Sequence, residues 1–146
     1  APRPVIIAGK YSIDRDTVRA VVANRMHVMA NYAREVIRPV LKQERQQAEG
    51  SCKRTLRRAR ALLTRETSLI DEVARQRLDG LLEQFSNLRV VYHYRQQLQS
   101  VWARKATSQE GLIKALQDWC LQAEATGISS LQEFARRLRG YSLQAA

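Results

Sequence analysis

Apolar residues recur along the chain at steps of three and four, the spacing that places side chains on one face of an α-helix. The first stripe predicts a long first helix with these members: Val18, Val22, Met26, Met29, Ala33, Val36 and Val40. A later group of apolar residues, which predicts a further helix, comprises Val73, Leu78, Leu81, Leu82 and Phe85. No segment gives a convincing strand pattern. The sequence predicts an all-α fold, a bundle of about five helices with no β-sheet.

Breaker residues set the expected limits of the first helix. Asp14 or Asp16 can cap it, because a carboxylate oxygen accepts hydrogen bonds from the free N–H groups of a first turn. Pro39 is expected to kink or break it, since proline lacks an N–H and strikes the preceding turn. Gly50 is expected to end it.

Further capping residues predict where the next helices begin. Ser51 is expected to cap a second helix that ends near Thr64 or Arg65. Asp71 is expected to open a third. Ser86 either caps a fourth helix or lies within a continued third one.

Two capping boxes predict the last helices. Thr107-x-x-Glu110 precedes one apolar stripe, and Ser130-x-x-Glu133 precedes another. Gly127 lies between them and is expected to end the earlier helix.

Domain limits follow from the change in composition near the start. Residues 1–13 look like a linker, and residues 14–146 are expected to form a single basic helical domain. The opening APRPVIIAGKYSID lacks an initiator Met and lacks the charged and apolar regions of a signal peptide. We therefore expect the chain to be a fragment of a longer protein.

Charge is the strongest compositional signal. The formal net charge is +11, and the stretch SCKRTLRRARALLTR at 51–65 has six basic residues and no acidic one. On a helix its apolar residues share one face, and the basic residues share the other: Lys53, Arg54, Arg57, Arg58, Arg60 and Arg65. A second basic cluster, Arg136, Arg137 and Arg139, shows the same pattern.

These nine residues are the candidate anion- or phosphate-binding positions. A charge run of this kind is often only the solvated side of a surface helix. An arginine-rich face also pairs well with phosphate oxygens, in nucleic acid or in anionic lipid. The residues themselves leave both alternatives open.

Catalytic and metal-binding patterns are missing from the sequence. His27 and His93 are the only histidines, and no metal-ligand spacing or phosphate-binding loop occurs. Cys52 lies on an apolar helical face and, like Cys120, suits a reducing compartment. No catalytic, cofactor-binding or metal-binding residue is predicted, and no cofactor is expected in this chain.

One charged and several aromatic residues fall on predicted core positions of the fourth helix. Arg95 lies within the apolar stripe, so it is expected to have a buried carboxylate or carbonyl partner. Tyr92, Tyr94 and Trp102 could form a stacking platform for bases, but packing is the favoured interpretation.

Two segments resemble a known family. The stretch DTVRAVVANRMHVMANYAREVIRPVL and the basic RxLRRARxLL helix after it resemble the C-terminal extension of bacterial membrane fatty-acid desaturases. This resemblance covers nearly the whole chain. It implies a parent oxidoreductase whose diiron centre and histidine boxes would lie upstream, so no catalytic residue is carried over.

The last sixty or so residues resemble, more loosely, a C-terminal segment of DDE-type insertion-sequence transposases. The matching positions are Tyr92, Arg95, Trp119, Gly127, Ile128, Leu131, Phe134, Ala135, Leu138, Arg139 and Tyr141. No residue maps onto the metal-binding carboxylates of that family.

The resemblances give three functional hypotheses. The favoured one is a non-catalytic domain of a bacterial membrane desaturase, on the cytosolic side of the inner membrane. It would contact anionic lipid or an acidic electron-transfer or acyl-carrier partner. The alternatives are a transposase-derived nucleic-acid-binding module and a structural bundle that forms a homo-oligomer through its first helix.

Overall fold

The computed structural model describes residues 4–7, 11–14, 25–102 and 109–142. Two short strands come first along the chain, and helices follow them. They are β1 (Pro4–Ile7), β2 (Tyr11–Asp14), α1 (Arg25–Tyr32), a π-helical turn (Ala33–Ile37), α2 (Arg38–Gln47), α3 (Ser51–Arg57), α4 (Ala59–Thr64), a 3-10 turn (Thr67–Leu69), α5 (Glu72–Gln84), α6 (Ser86–Trp102), α7 (Gln109–Glu124) and α8 (Ser129–Ser142).

The predicted long first helix is present and passes through Pro39 without ending. The segment from α1 to α2 is continuous, and the π turn lies immediately before the proline. The Arg38 N–H donates to the Ala33 carbonyl, the wider π spacing. Pro39 cannot donate to the Glu35 carbonyl and would strike it in a regular helix, and the wide turn relieves both problems. Pro39 therefore alters the helix locally and does not break it.

The π turn also changes which residues of the stripe are buried. Val36, Ile37, Val40 and Leu41 are buried as two adjacent pairs. Met26, which the stripe assigned to the core, is 85% exposed. An extra residue in the turn rotates α1 relative to α2 by about 100°, so the original spacing does not continue across it. Val18, Val22 and the Asp16 cap lie outside the described residues.

The first helical segment ends at Gln47, three residues before the predicted stop at Gly50, and Gly50 is instead the N-cap residue of α3. The chain becomes extended at Ala48, and Gly50 has a φ of 61° and a ψ of −130°. L-residues rarely adopt this conformation, so glycine is needed at this reversal. Ser51, however, is the first residue of α3, and no side-chain cap is present there. The glycine conformation places Ser51 inside the helix and not at its cap.

Asp71 caps α5, as predicted, whereas Ser86 is the first residue of α6 and not its cap. The Asp71 carboxylate accepts a hydrogen bond from the Ala74 N–H at 2.8 Å. Phe85 is extended, with a φ of −117° and a ψ of 101°, so α5 and α6 are separate helices. Val73 was expected in the core of α5 but is 59% exposed, because Leu78 and Leu81 define the buried face.

The beginning of α8 and the conformation of Gly127 before it differ from the predictions. α8 begins one residue early, at Ser129, so Ser130 is helical and its buried Oγ has no hydrogen-bond partner. The Ser130 capping box is therefore wrong. Gly127 does not have a positive φ. Thr107 and the side chain of Glu110 lie outside the described residues.

The helices enclose one core, which confirms the all-α class for the body of the protein. An aromatic cluster lies where α1, α7 and α8 meet: the Tyr32 ring is 5.1 Å from Phe134 and 6.2 Å from Trp119. The Tyr32 hydroxyl donates to the Val91 carbonyl of α6. Edge-to-face pairs of this kind stabilise a core beyond their buried area.

Two short strands, which the sequence did not predict, precede the helical body. β1 and β2 pair antiparallel, from Pro4 opposite Asp14 to Ile7 opposite Tyr11. Asp14 is therefore a strand residue and not a helix cap. This strand pair was not expected, because strands this short give too few residues for a period-2 pattern to be recognised. It leaves the all-α class of the fold unchanged.

No helix among the described residues is long and apolar enough to cross a bilayer.

Candidate functional site

The basic residues of α3 and α4, with Arg58 between the two helices and Arg65 after them, form one exposed surface. We call this surface the basic strip; it comprises Lys53, Arg54, Arg57, Arg58, Arg60 and Arg65, and all six are exposed. On the opposite side Leu56, Ala59 and Leu63 are buried. The predicted separation of basic and apolar faces is confirmed.

The strip is divided by a break at Arg58. Arg58 has a φ of −94° and a ψ of −4°, and its N–H donates to the Thr55 carbonyl at 3.2 Å. This is the tighter 3-10 spacing, so the second predicted helix is in fact two short helices. It ends at Thr64, as expected.

None of the six side chains forms an ion pair with a carboxylate in the described part of the chain. The ion pairs seen there involve Arg25, Arg136, Arg137 and Arg139. The positive charge of the strip is therefore uncompensated by these neighbours. Such a surface attracts anions, and phosphate oxygens match the arginine guanidinium in geometry as well as charge.

The second basic cluster has a different environment. The Glu124 carboxylate forms ion pairs with Arg139 at 2.9 Å and with Arg136 at 3.8 Å, and the Glu35 carboxylate forms one with Arg137 at 2.6 Å. These contacts connect α8 to α7 and to the π turn. Sequence spacing treated the two clusters alike, because both carboxylates lie far from the cluster along the chain.

Arg95 is 5% exposed and has the carbonyl partner that the sequence predicted. One terminal nitrogen donates to the Thr64 carbonyl at 2.8 Å, and the other donates to Gln96 Oε1 at 3.2 Å. Burial lowers the pKa of Arg95, and nearby Glu66 opposes that shift. Arg95 therefore contacts the last residue of α4, one of the two helices that carry the basic strip.

Glu66, two residues after the end of α4, forms a second contact with α6. Its Oε2 accepts a hydrogen bond from Gln99 Nε2 at 2.7 Å, and its Oε1 lies 4.0 Å from Arg25. Gln99 follows Arg95 by one helical turn on α6. Sequence reasoning missed this contact, since neither residue has a distinctive motif.

The aromatic residues of α6 pack against the core. Tyr92, Tyr94 and Trp102 are half-buried against it. The Tyr94 hydroxyl donates to the Gln122 carbonyl at 3.2 Å, and Trp119 Nε1 donates to the Tyr94 carbonyl at 2.9 Å. Packing, and not a base-stacking platform, explains these side chains.

The histidines and cysteines do not come together as a reactive site. His27 and His93 are exposed, and Cys52 accepts a hydrogen bond from Gln84 Nε2 at 3.1 Å. Burial raises the pKa of the Cys120 thiol to about 12. Among the described residues, no group of three or more His, Cys, Asp or Glu side chains could hold a metal.

Comparison with known proteins identifies the origin of this domain. The sequence profile of a transposase family, the ISL3 group of DDE transposases, matches residues 17–144. The chain is also 35% identical over 125 residues to the transposase for insertion sequence element IS1001 of Bordetella parapertussis. That alignment covers 83% of this chain and 30% of the relative's length. No solved structure matches the chain.

These matches overturn the desaturase hypothesis. The transposase profile covers almost the same residues that the desaturase resemblance claimed, so the desaturase assignment is wrong and nothing supports the membrane attachment that it implied. An amphipathic basic helix has the same residue pattern whether it faces lipid phosphate or nucleic-acid phosphate, which is why the sequence pattern misled. The weaker of the two resemblances was correct, and it extends well beyond the last sixty residues. The chain belongs to the ISL3 family of DDE transposases.

Proposed function

We propose that this chain is a helical DNA-binding module of a transposase, and that the basic strip contacts the phosphate backbone of duplex DNA. The chain spans about a third of the length of its curated relative, so the module would act as one part of a larger enzyme. The observation that carries the proposal is the set of six exposed cations without a carboxylate partner among the described residues.

Backbone contact is the simplest role for the strip, because phosphates are available along every duplex and take most of the hydrogen bonds in protein–DNA complexes. Residues 51–65 contain no Asn or Gln, the side chains that pair with adenine, although arginine can also contact guanine. All the Tyr, Trp and Phe side chains that the structure describes are buried or half-buried. Single-stranded DNA binding usually depends on such exposed rings, so duplex is the favoured form.

A salt series on duplex DNA tests this proposal. If all six cations contact phosphates, the logarithm of the binding constant falls with the logarithm of salt concentration with a slope of about −5. The double variant R54Q/R57Q should reduce the magnitude of that slope by about two and weaken binding about tenfold at low salt. Fluorescence anisotropy with a labelled duplex measures both quantities.

The matched control is R89Q/K114Q, which removes the same charge at exposed positions of α6 and α7. We expect its slope to stay near that of the unmodified chain. Equal losses from the two double variants would show that net charge alone drives binding and would contradict the assignment to the strip. Tighter binding to anionic vesicles than to duplex at physiological salt would also contradict it.

A further inference from the structure

The basic strip lies along two short helices and the residues Arg58 and Arg65 that flank α4. Few contacts within such short helices determine how each is rotated about its axis on the core. Leu56, Ala59 and Leu63 are buried beneath it, but apolar contact is not directional. The break at Arg58 also separates α4 from α3, so α4 does not inherit its orientation from an uninterrupted helix. The directional contacts at its ends therefore matter for where its cations are held.

The C-terminal end of α4 has such a contact. The chain becomes extended at Arg65, with a φ of −76° and a ψ of 145°, so α4 cannot continue to satisfy the Thr64 carbonyl. Arg95 donates to that carbonyl from inside the bundle, at 2.8 Å. A positive guanidinium at a helix C-terminus also complements the helix dipole.

A buried arginine is a costly way to fill a core position. Arg95 is the only buried charged residue in the described part of the chain. Its Nε has no hydrogen-bond partner among the described residues. Its neighbours on the same stripe, Val91 and Leu98, are apolar. An apolar side chain would pack at this position without the desolvation penalty, so packing does not explain why an arginine is present.

We propose that Arg95 is a positioning residue for the basic strip: through the Thr64 carbonyl it fixes the end of α4 and thereby the places of Arg60 and Arg65 on the surface. The role in DNA contact rests on the proposed function. The effect on α4 itself does not. Gln99 supports the same end of α4 one turn further along α6, through Glu66.

The first measurement is hydrogen exchange of the amides at 59–66 in R95M, whose side chain is apolar and of similar length. We expect exchange there to rise at least tenfold, while the aromatic core of Tyr32, Trp119 and Phe134 keeps its protection. The matched control is Y94F, which removes a donor from the same helix to a last-turn carbonyl of α7. That variant should leave 59–66 unchanged.

The second measurement is the salt series on duplex DNA. R95M should bind several-fold more weakly with a shallower slope, because Arg60 and Arg65 no longer hold one place, although the exposed strip keeps all six charges. R95K should recover part of the protection and part of the slope, since an ammonium can still donate to the Thr64 carbonyl. A purely structural role would not change the slope in a variant that folds.

Three outcomes decide between the ideas. Unchanged exchange at 59–66 in R95M would overturn the positioning role, whatever the DNA data show. Raised exchange with unchanged affinity and slope would overturn the link to the strip. If the unmodified chain does not bind duplex at all, the proposed function fails, and hydrogen exchange still tests the effect on α4. Should R95M not fold, R95K and Q99L provide the same comparison.

Discussion

At the scale of single residues, burial decides which side chains can take part in chemistry. Cys120 is fully buried on α7, and desolvation is the main reason that its pKa rises to about 12. Glu124 adds to the shift, and Arg139 opposes it. The thiolate is the reactive form, so Cys120 is inert at ordinary pH.

Thiol titration at pH 8 tests this assignment. In the folded chain we expect one equivalent to react with an aromatic disulfide reagent, from half-exposed Cys52, and two equivalents to react after denaturation. In Cys52→Ala the folded chain should react with none. Rapid reaction of two thiols in the folded protein would show that Cys120 is accessible.

Single residues also show how far sequence reasoning reaches. The buried partner of Arg95 was predicted because a charge inside an apolar stripe must be paired, whatever the fold. The identity of that partner was not predictable, since Thr64 comes close to Arg95 only when α4 packs on α6. The same limit explains why Arg136 and Arg58 looked alike in the sequence although only Arg136 has a carboxylate beside it.

At the scale of elements, the reversal between α2 and α3 depends on the backbone of one glycine. Gly50 has a positive φ, and a Cβ added there would meet nothing within 4 Å. Substitution is therefore costly for conformational reasons only. Gly50→Ala should lower the free energy of unfolding by about 1–3 kcal/mol.

Gly80 provides the matched control for that change. It lies inside α5 with open space around its Cα and an ordinary helical backbone. Gly80→Ala should raise the free energy of unfolding by about 0.5–1 kcal/mol, because alanine loses less entropy in a helix. Urea titration of both variants measures the pair. Equal effects on stability would contradict the role given to the Gly50 backbone.

Elements with strong local signals were predicted well, and those that depend on tertiary contacts were not. Asp71 and Gly50 mark helix limits through their own hydrogen bonds and dihedral angles, so the sequence was sufficient. The π turn was missed because proline predicts a disturbance but not its form, which depends on what Tyr32 and Ile37 can bury. The strand pair of β1 and β2 was missed because these strands offer little apolar alternation.

At the scale of the whole molecule, the charge distribution opposes stability. The net charge is +11, and the basic strip concentrates six of the cations within residues 53–65. Like charges at this spacing repel one another, and salt screens the repulsion. The proposed contact with DNA and the stability of the fold therefore make opposite demands on the same surface.

This opposition gives a thermal prediction. At low ionic strength R54Q/R57Q should melt a few degrees above the unmodified chain, and added salt should narrow the difference. R89Q/K114Q should show a smaller gain, since its two charges lie on other helices, outside the run of basic residues at 53–65. Differential scanning calorimetry at two salt concentrations measures the effect. A lower melting temperature for R54Q/R57Q would mean that these arginines have stabilising partners.

The π turn has a consequence for how this domain can change during evolution. Its five residues contain one more than a regular helix would use to connect Tyr32 to Val40, and each residue turns the helix by about 100°. Deleting any one of them would swing Tyr32 away from Phe134 and Trp119. Exposed side chains along this helix tolerate substitution, whereas no residue can be added or removed between Tyr32 and Pro39 without turning Tyr32 out of the core. Insertions and deletions in related transposases should therefore fall in the turns between helices and spare this stretch.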